Sequence, residues 1–135
     1  EFIRPMQKLQ QNFQISPSAI TQEAALAALE FGKADAEKMK KEFNKRRDVM
    51  IKGLRSIGFE VKAVPEGAFY VFVPCSFMDS DSYRLAVSIL RETGVAVTPG
   101  VDFGSGGERH LRFSYATSSG RIREGIRRLG RFLEK

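Results

Sequence analysis

Arg112 is the residue of this chain best equipped to hold a charged small molecule. It lies in the run from His110 to Ala116, where apolar and polar residues alternate. Side chains on a strand alternate with period two, so Leu111, Phe113 and Tyr115 share one face while His110, Arg112, Ser114 and Ala116 share the other. An arginine held between apolar neighbours presents a rigid, planar, permanently charged fork, suited to gripping a carboxylate or phosphate with two parallel hydrogen bonds. The plainer reading is an arginine on a sheet surface, snorkelling or paired with a local acid such as Glu108. Spacing alone leaves both readings open.

Other residues offer less. Ser114 and His110 share a face and have the types of a nucleophile and a base, but no strand-to-helix elbow and no third orienting group accompany them. Gly104-Ser105-Gly106-Gly107 resembles a phosphate cradle in composition, yet it precedes a strand rather than a helix, and no Gly-Lys-Ser/Thr follows. It reads as a hairpin loop. A lone Cys75 cannot form an internal disulfide, and with a single histidine, His110, no Cys/His metal cluster can be assembled. Cys75 follows a hydrophobic strand and is expected to be a buried, inert thiol in a reducing cytoplasm. No catalytic, cofactor-binding or metal residue is assigned.

The elements that must position Arg112 follow from periodicity and punctuation. Phe2, Met6, Leu9 and Phe13 mark a short amphipathic helix, and Ser16-Pro17-Ser18 starts an Ala-rich helix reaching Leu29, with a serine cap and the proline in its first turn. Gly32-Lys33 breaks that pattern. Asp35 then caps a long helix to about Ile57 that is closed by Gly58, with Met39, Phe43, Met50, Leu54 and Ile57 on one stripe and a lysine-rich solvated face. Residues 59–64 and 68–73 read as a hairpin turned by Pro65-Glu66-Gly67. Its second strand is apolar on both faces and so is expected inside the sheet, with Phe69, Val71 and Val73 on one side and Tyr70 and Phe72 on the other. Ser80 or Ser82 caps a helix through Glu92 that ends at Gly94 and gives the sheet a second cover. Residues 95–97 and 110–116 supply two more strands. Ile122, Ile126, Leu129 and Phe132 draw the buried stripe of a last helix. The expected fold class is α+β (within the broader α/β family), a small, mostly antiparallel sheet covered by helices.

Several of these runs together resemble one family. Gly-Val-Ala-Val-Thr-Pro-Gly-Val-Asp-Phe-Gly from Gly94, Leu-Arg-Phe-Ser-Tyr-Ala-Thr from Leu111, and Ile-Arg-Glu-Gly-Ile-Arg-Arg-Leu from Ile122 are similar to the carboxyl-terminal part of class I/II aminotransferases, which are fold-type I enzymes using pyridoxal phosphate. Pro65-Glu66-Gly67-Ala68-Phe69-Tyr70 resembles that family's Pro-x-Gly-x-Phe-Tyr hairpin, and Ser16-Pro17-Ser18 with Gln22 and Ala24-Ala25 its Ser-rich helix start. The aspartate or broad amino-acid branch is the most similar. The resemblance implies that Arg112 holds the substrate α-carboxylate and that residues 1–33 are a remnant of the large cofactor domain, two helices, while 34–135 form the small domain. It also implies amino-acid and 2-oxo-acid substrates and a homodimer.

In that family the Schiff-base lysine and the carboxylate on the pyridine nitrogen lie upstream of the position of Glu1. Neither the Ser-x-x-Lys motif nor the Gly-x-Arg-x-Gly-Tyr run is in this sequence. The resemblance therefore implies pyridoxal 5'-phosphate in the parent enzyme, none bound to this fragment, and a fragment inactive alone.

Composition bounds the alternatives. The 135 residues, 42% of them hydrophobic, suffice for one domain, or one compact domain with an appendage. No run is long and apolar enough for a membrane span, and the first residues lack a signal pattern. The net charge of +6 is concentrated in the last helix, in Arg121, Arg123, Arg127, Arg128 and Arg131. A stand-alone basic module binding anions or nucleic acid is the second reading, though no aromatic stacking platform accompanies those arginines and nucleic acid is not the expected partner.

Overall fold

A computed structural model describes residues 1–14 and 16–134; Ile15 and Lys135 lie outside the described residues. The chain divides into two compact units, Glu1–Met39 and Lys40–Lys135.

In the first unit, α1 (Ile3–Phe13) and α2 (Ala19–Phe31) form where the periodicity places them. Ser18 caps α2, its Oγ accepting from Thr21 N at 3.2 Å, so Pro17 stands before the cap and not in the first turn. None of the described residues of this unit is buried. Phe2, Phe13, Ile20 and Leu29 are each at least four-fifths exposed. The long helix α3 (Lys33–Ser56) follows α2 after one intervening residue, Gly32, with Asp35 in its first turn instead of at its cap.

The second unit is built on a three-stranded antiparallel sheet of order β1-β3-β2, where β1 is Tyr70–Pro74, β2 is Thr98–Pro99 and β3 is His110–Ser114. Helices α4 (Ser82–Thr93) and α5 (Ser119–Leu133) complete it. One core joins Met50, Ile51 and Leu54 of α3, Leu85 and Ile89 of α4, and Ile122, Ile126 and Leu129 of α5 to Val71, Val73, Leu111 and Phe113 of the sheet. The register sets Val71 opposite Phe113 and Val73 opposite Leu111, so the inward face is continuous across both strands.

The expected hairpin between 59–64 and 68–73 is absent. Alternation in the first run is real, since Phe59 and Val61 are buried and Glu60 and Lys62 exposed, but this segment packs beside the core without strand pairing. Its backbone is satisfied from α3: Phe59 N donates to Leu54 O at 3.0 Å, Arg55 Nη2 donates to Val61 O at 2.8 Å, and Arg47 Nη1 donates to Pro65 O at 3.1 Å. As a result β1 is an edge strand, not an interior one, and β3 takes the centre. The strand expected at 95–97 lies later, at Thr98–Pro99. Val95 N is occupied by Thr93 Oγ1 at 3.0 Å, and the ladder to β3 holds only Thr98 opposite Arg112 and Pro99 opposite Leu111.

Asp81, not Ser80 or Ser82, caps α4, accepting from Arg84 N at 2.8 Å, while Gly94 closes it at φ 70° as expected. Asp81→Ala is expected to cost about 0.5–2 kcal/mol, read as a lowered urea midpoint with an unchanged slope. An unchanged midpoint would contradict the cap. Ser82 is instead buried, with its Oγ accepting from Val101 N at 3.1 Å, tying α4 to the loop after β2.

Candidate functional site

The outward face of the sheet gathers Tyr70 and Phe72 from β1, Thr98 from β2 and His110 and Arg112 from β3. On the central strand Arg112 is paired with Phe72 on one side and Thr98 on the other. Residues after Pro99 turn into a 3-10 turn, Gly100–Phe103, which brings Phe103 back over this face. Arg112 Cζ lies 5.0 Å from the Tyr70 ring centroid and 4.9 Å from that of Phe103, both within cation–π range. Its Nη2 donates to Thr98 Oγ1 at 3.3 Å. Phe103 meets Phe72 edge-on at 5.7 Å, and Phe72 stacks on His110 with ring centroids 4.9 Å apart.

One form of the plainer reading of Arg112 paired it with a nearby acid, Glu108. Glu108 does not fill that role, because its Oε1 accepts from Ser82 N at 2.6 Å, and that bond is the leading reason its carboxyl titrates below the ordinary carboxylate range. Among the described residues no ion pair of Arg112 is found. Of the five N–H donors of a guanidinium, one is thus engaged by Thr98, and the aromatic flanks consume none. That arrangement suits a bidentate partner carrying two oxygens.

Sequence reading placed Arg112 on the correct face but missed Phe103 and Thr98 as its neighbours. Tyr70 was legible as lying opposite Val71 and Val73; its closeness to Arg112 depends on the β1–β3 register, which no local pattern encodes. Phe103 follows a loop without periodicity.

The remaining candidates resolve simply. Ser114 is exposed on the strand, and its Oγ accepts from Ala116 N at 3.3 Å, while His110 Nδ1 bonds the carbonyl of Glu108 at 2.9 Å, so the two are not brought together. The segment with Gly104–Gly107 holds two 3-10 turns and connects β2 to β3, the hairpin connection expected. Cys75 is fully buried, and burial first, then Glu108 and Asp79, push its thiol up to about 11. It is expected to react with a disulfide reagent at pH 8 only on unfolding; full reaction in the native state within minutes would contradict that burial. On α5, Glu124 pairs with Arg127 at 2.5 Å and with Arg128 at 2.8 Å, and Arg128 Nη1 donates to Thr93 O at 3.2 Å, so part of the basic stripe is spent within the domain.

Pyridoxal phosphate does not fit the residues present. Every described lysine is exposed, on α1, on α3 or in the segment before β1, and none lies on a strand of the sheet that carries Arg112, where a Schiff-base lysine could be held beside it. Among the described residues no group of three or more metal-binding side chains occurs, and no helix is long and apolar enough to cross a membrane.

The sequence profile of aminotransferase class I and II matches residues 1–129. A (5-formylfuran-3-yl)methyl phosphate transaminase of Methanocaldococcus jannaschii is 42% identical over 136 residues, covering 100% of this chain and 36% of its own length. An aspartate/prephenate aminotransferase of Thermus thermophilus is 40% identical over 98% of this chain and 34% of its own. The structure of Thermus thermophilus aspartate aminotransferase with maleate superposes with a TM-score of 0.82 at 37% identity, over 95% of this chain and 33% of that one. The chain thus spans about a third of the length of the curated relatives it matches. Nothing in these comparisons supports a stand-alone basic module. With its profile match, these relatives and an α+β architecture shared with them, the chain belongs to the class I and II aminotransferase family.

Proposed function

We propose that this chain supplies the substrate-clamping domain of a pyridoxal-phosphate-dependent amino-acid aminotransferase, an enzyme that moves an amino group between an amino acid and a 2-oxo acid. Arg112 grips the α-carboxylate. The observation that carries this reading is the Arg112 guanidinium itself, flanked by Tyr70 and Phe103 on the open face of the sheet and with no acidic partner among the described residues. A relative solved with maleate, a dicarboxylate, supports it. In this reading residues 1–33 belong to the large cofactor domain and 34–135 to the small one. The exposed apolar residues of α1 and α2 suit burial in a homodimer, and the enzyme is cytoplasmic.

The chain's own contribution is binding and orientation. A carboxylate held at two points loses most of its rotational freedom, which fixes where the substrate Cα sits, and an apolar wall of aromatic rings strengthens the ion pair by excluding water. The cofactor and its lysine are supplied by residues other than those described, so the chain alone is expected not to transaminate. A crystal structure of the complete enzyme with a bound carboxylate inhibitor tests this reading. Both carboxylate oxygens should lie about 2.7–3.0 Å from the nitrogens of Arg112. A carboxylate seated elsewhere, with Arg112 facing solvent, would overturn it.

A further inference from the structure

We propose that Phe103 and Tyr70 are positioning residues, setting the plane of the Arg112 fork before a substrate arrives; this rests on the reading of Arg112 as the carboxylate clamp. Arginine is long and flexible, and freezing it at the moment of binding costs conformational entropy that preorganisation avoids. Here the freezing is done beforehand. The guanidinium carbon lies 5.0 Å from one ring centroid and 4.9 Å from the other, and the hydrogen bond to Thr98 Oγ1, at 3.3 Å, fixes one edge. Neither flank removes an N–H from use, so the remaining donors stay available to a carboxylate.

The flanks are themselves braced. Tyr70 lies on β1, where it pairs with Ser114 and stands diagonally beside Arg112 on the same face. Phe103 comes from the 3-10 turn Gly100–Phe103 and rests edge-on against Phe72 at 5.7 Å. Phe72 in turn stacks nearly parallel on His110, with 3° between the ring planes, and His110 is fixed by the carbonyl of Glu108 at 2.9 Å. A line of ring contacts thus runs from the start of β3 to the clamp. None of these rings is needed to fill the core, since Tyr70, Phe72 and Phe103 are 37%, 39% and 51% exposed. All three lie outside the core cluster and on the side of the sheet that carries the Arg112 cation.

The test is a double-mutant cycle in the complete enzyme, with Phe103→Leu made alone and in an Arg112→Lys background, and Phe103→Tyr as the conservative variant. Phe103→Leu keeps apolar bulk and removes the ring. It is expected to raise KM for the amino acid and lower kcat/KM by about 5- to 30-fold, with kcat within about threefold. Phe103→Tyr should recover kcat/KM to within about threefold of the parent, and Tyr70→Leu should repeat the Phe103→Leu pattern from the other flank. In the Arg112→Lys background, Phe103→Leu should cost less than about twofold further, because the fork it orients is gone. A merely structural role would give the same fold loss in both backgrounds, and that result, or a Phe103→Leu enzyme within about twofold of the parent, overturns the proposal while leaving the clamp intact. Should Arg112→Lys alone change nothing, the clamp reading fails and the positioning proposal with it.

Discussion

Arg112→Lys in the complete enzyme is expected to lower kcat/KM for the amino acid by tens- to thousands-fold. Lysine keeps the charge but loses the planar fork, so two parallel hydrogen bonds become one point contact. It also loses the flat surface that packs between Tyr70 and Phe103, both of which now flank a guanidinium at about 5 Å. Breaking a desolvated, charge-assisted contact costs ~2–5 kcal/mol, the origin of the expected range. The fold should be indifferent: Arg112 shares its face with exposed and half-buried residues, whereas its neighbours Leu111 and Phe113 carry the core at 0% and 3% exposure. Steady-state kinetics beside a melting curve check this. A kcat/KM within about threefold of the parent would return Arg112 to the class of ordinary sheet-surface arginines.

Gly100→Ala is expected to be the most damaging single-methyl change in the loop that carries Phe103. A Cβ at Gly100 would overlap the carbonyl oxygen of Gly107 and lie 2.7 Å from the carbonyl oxygen of His110. Both neighbours are backbone, which cannot rotate aside as a side chain can. The reciprocal holds at Gly107, where an added Cβ would overlap the carbonyl oxygen of Gly100. The two glycines let the ends of the β2–β3 connection touch, and that closure delivers Phe103 to Arg112 and sets Ser82 Oγ under Val101 N. Forcing them apart is expected to cost about 1–3 kcal/mol and to lower the melting temperature by at least about 4 °C. In the complete enzyme kcat/KM should fall as well, since the loop must move. A variant melting within about 1 °C of the parent would show that the two backbones do not approach so closely.

What could be read from the residues depended on how local the determinant was. Helix α5 was legible because Ile122, Ile126 and Leu129 are its buried residues and recur at helical spacing, and Gly94 marks the end of α4 because only a left-handed residue closes it there. The two faces of β3 were legible for the same reason. Strand partners were not. Phe59 and Val61 alternate like a strand and are buried like one, yet Arg55 and Arg47 of α3 take up nearby carbonyls, and nothing in the local pattern distinguishes that outcome from a hairpin. The cap of α4 turned on a choice among adjacent cap-forming residues, and Asp81 won because Ser82 is drawn inward to bond Val101. At the site, the type and face of Arg112 could be read from period two, whereas its flanks depend on the β1–β3 register and on the turn at Gly100–Phe103, both set by tertiary packing.

The most direct test of the account is the affinity of the complete enzyme for maleate, a carboxylate that carries no amino group to transfer and so reports binding without chemistry. Calorimetric titration of the parent and of Arg112→Lys, at one pH and one salt concentration, isolates the clamp. A carboxylate gripped by Arg112 requires a dissociation constant at least about 30-fold higher for Arg112→Lys, with an unchanged melting curve for the unliganded enzyme. Equal affinities, within about threefold, would mean that the carboxylate is held elsewhere and that Arg112 has no part in gripping the substrate.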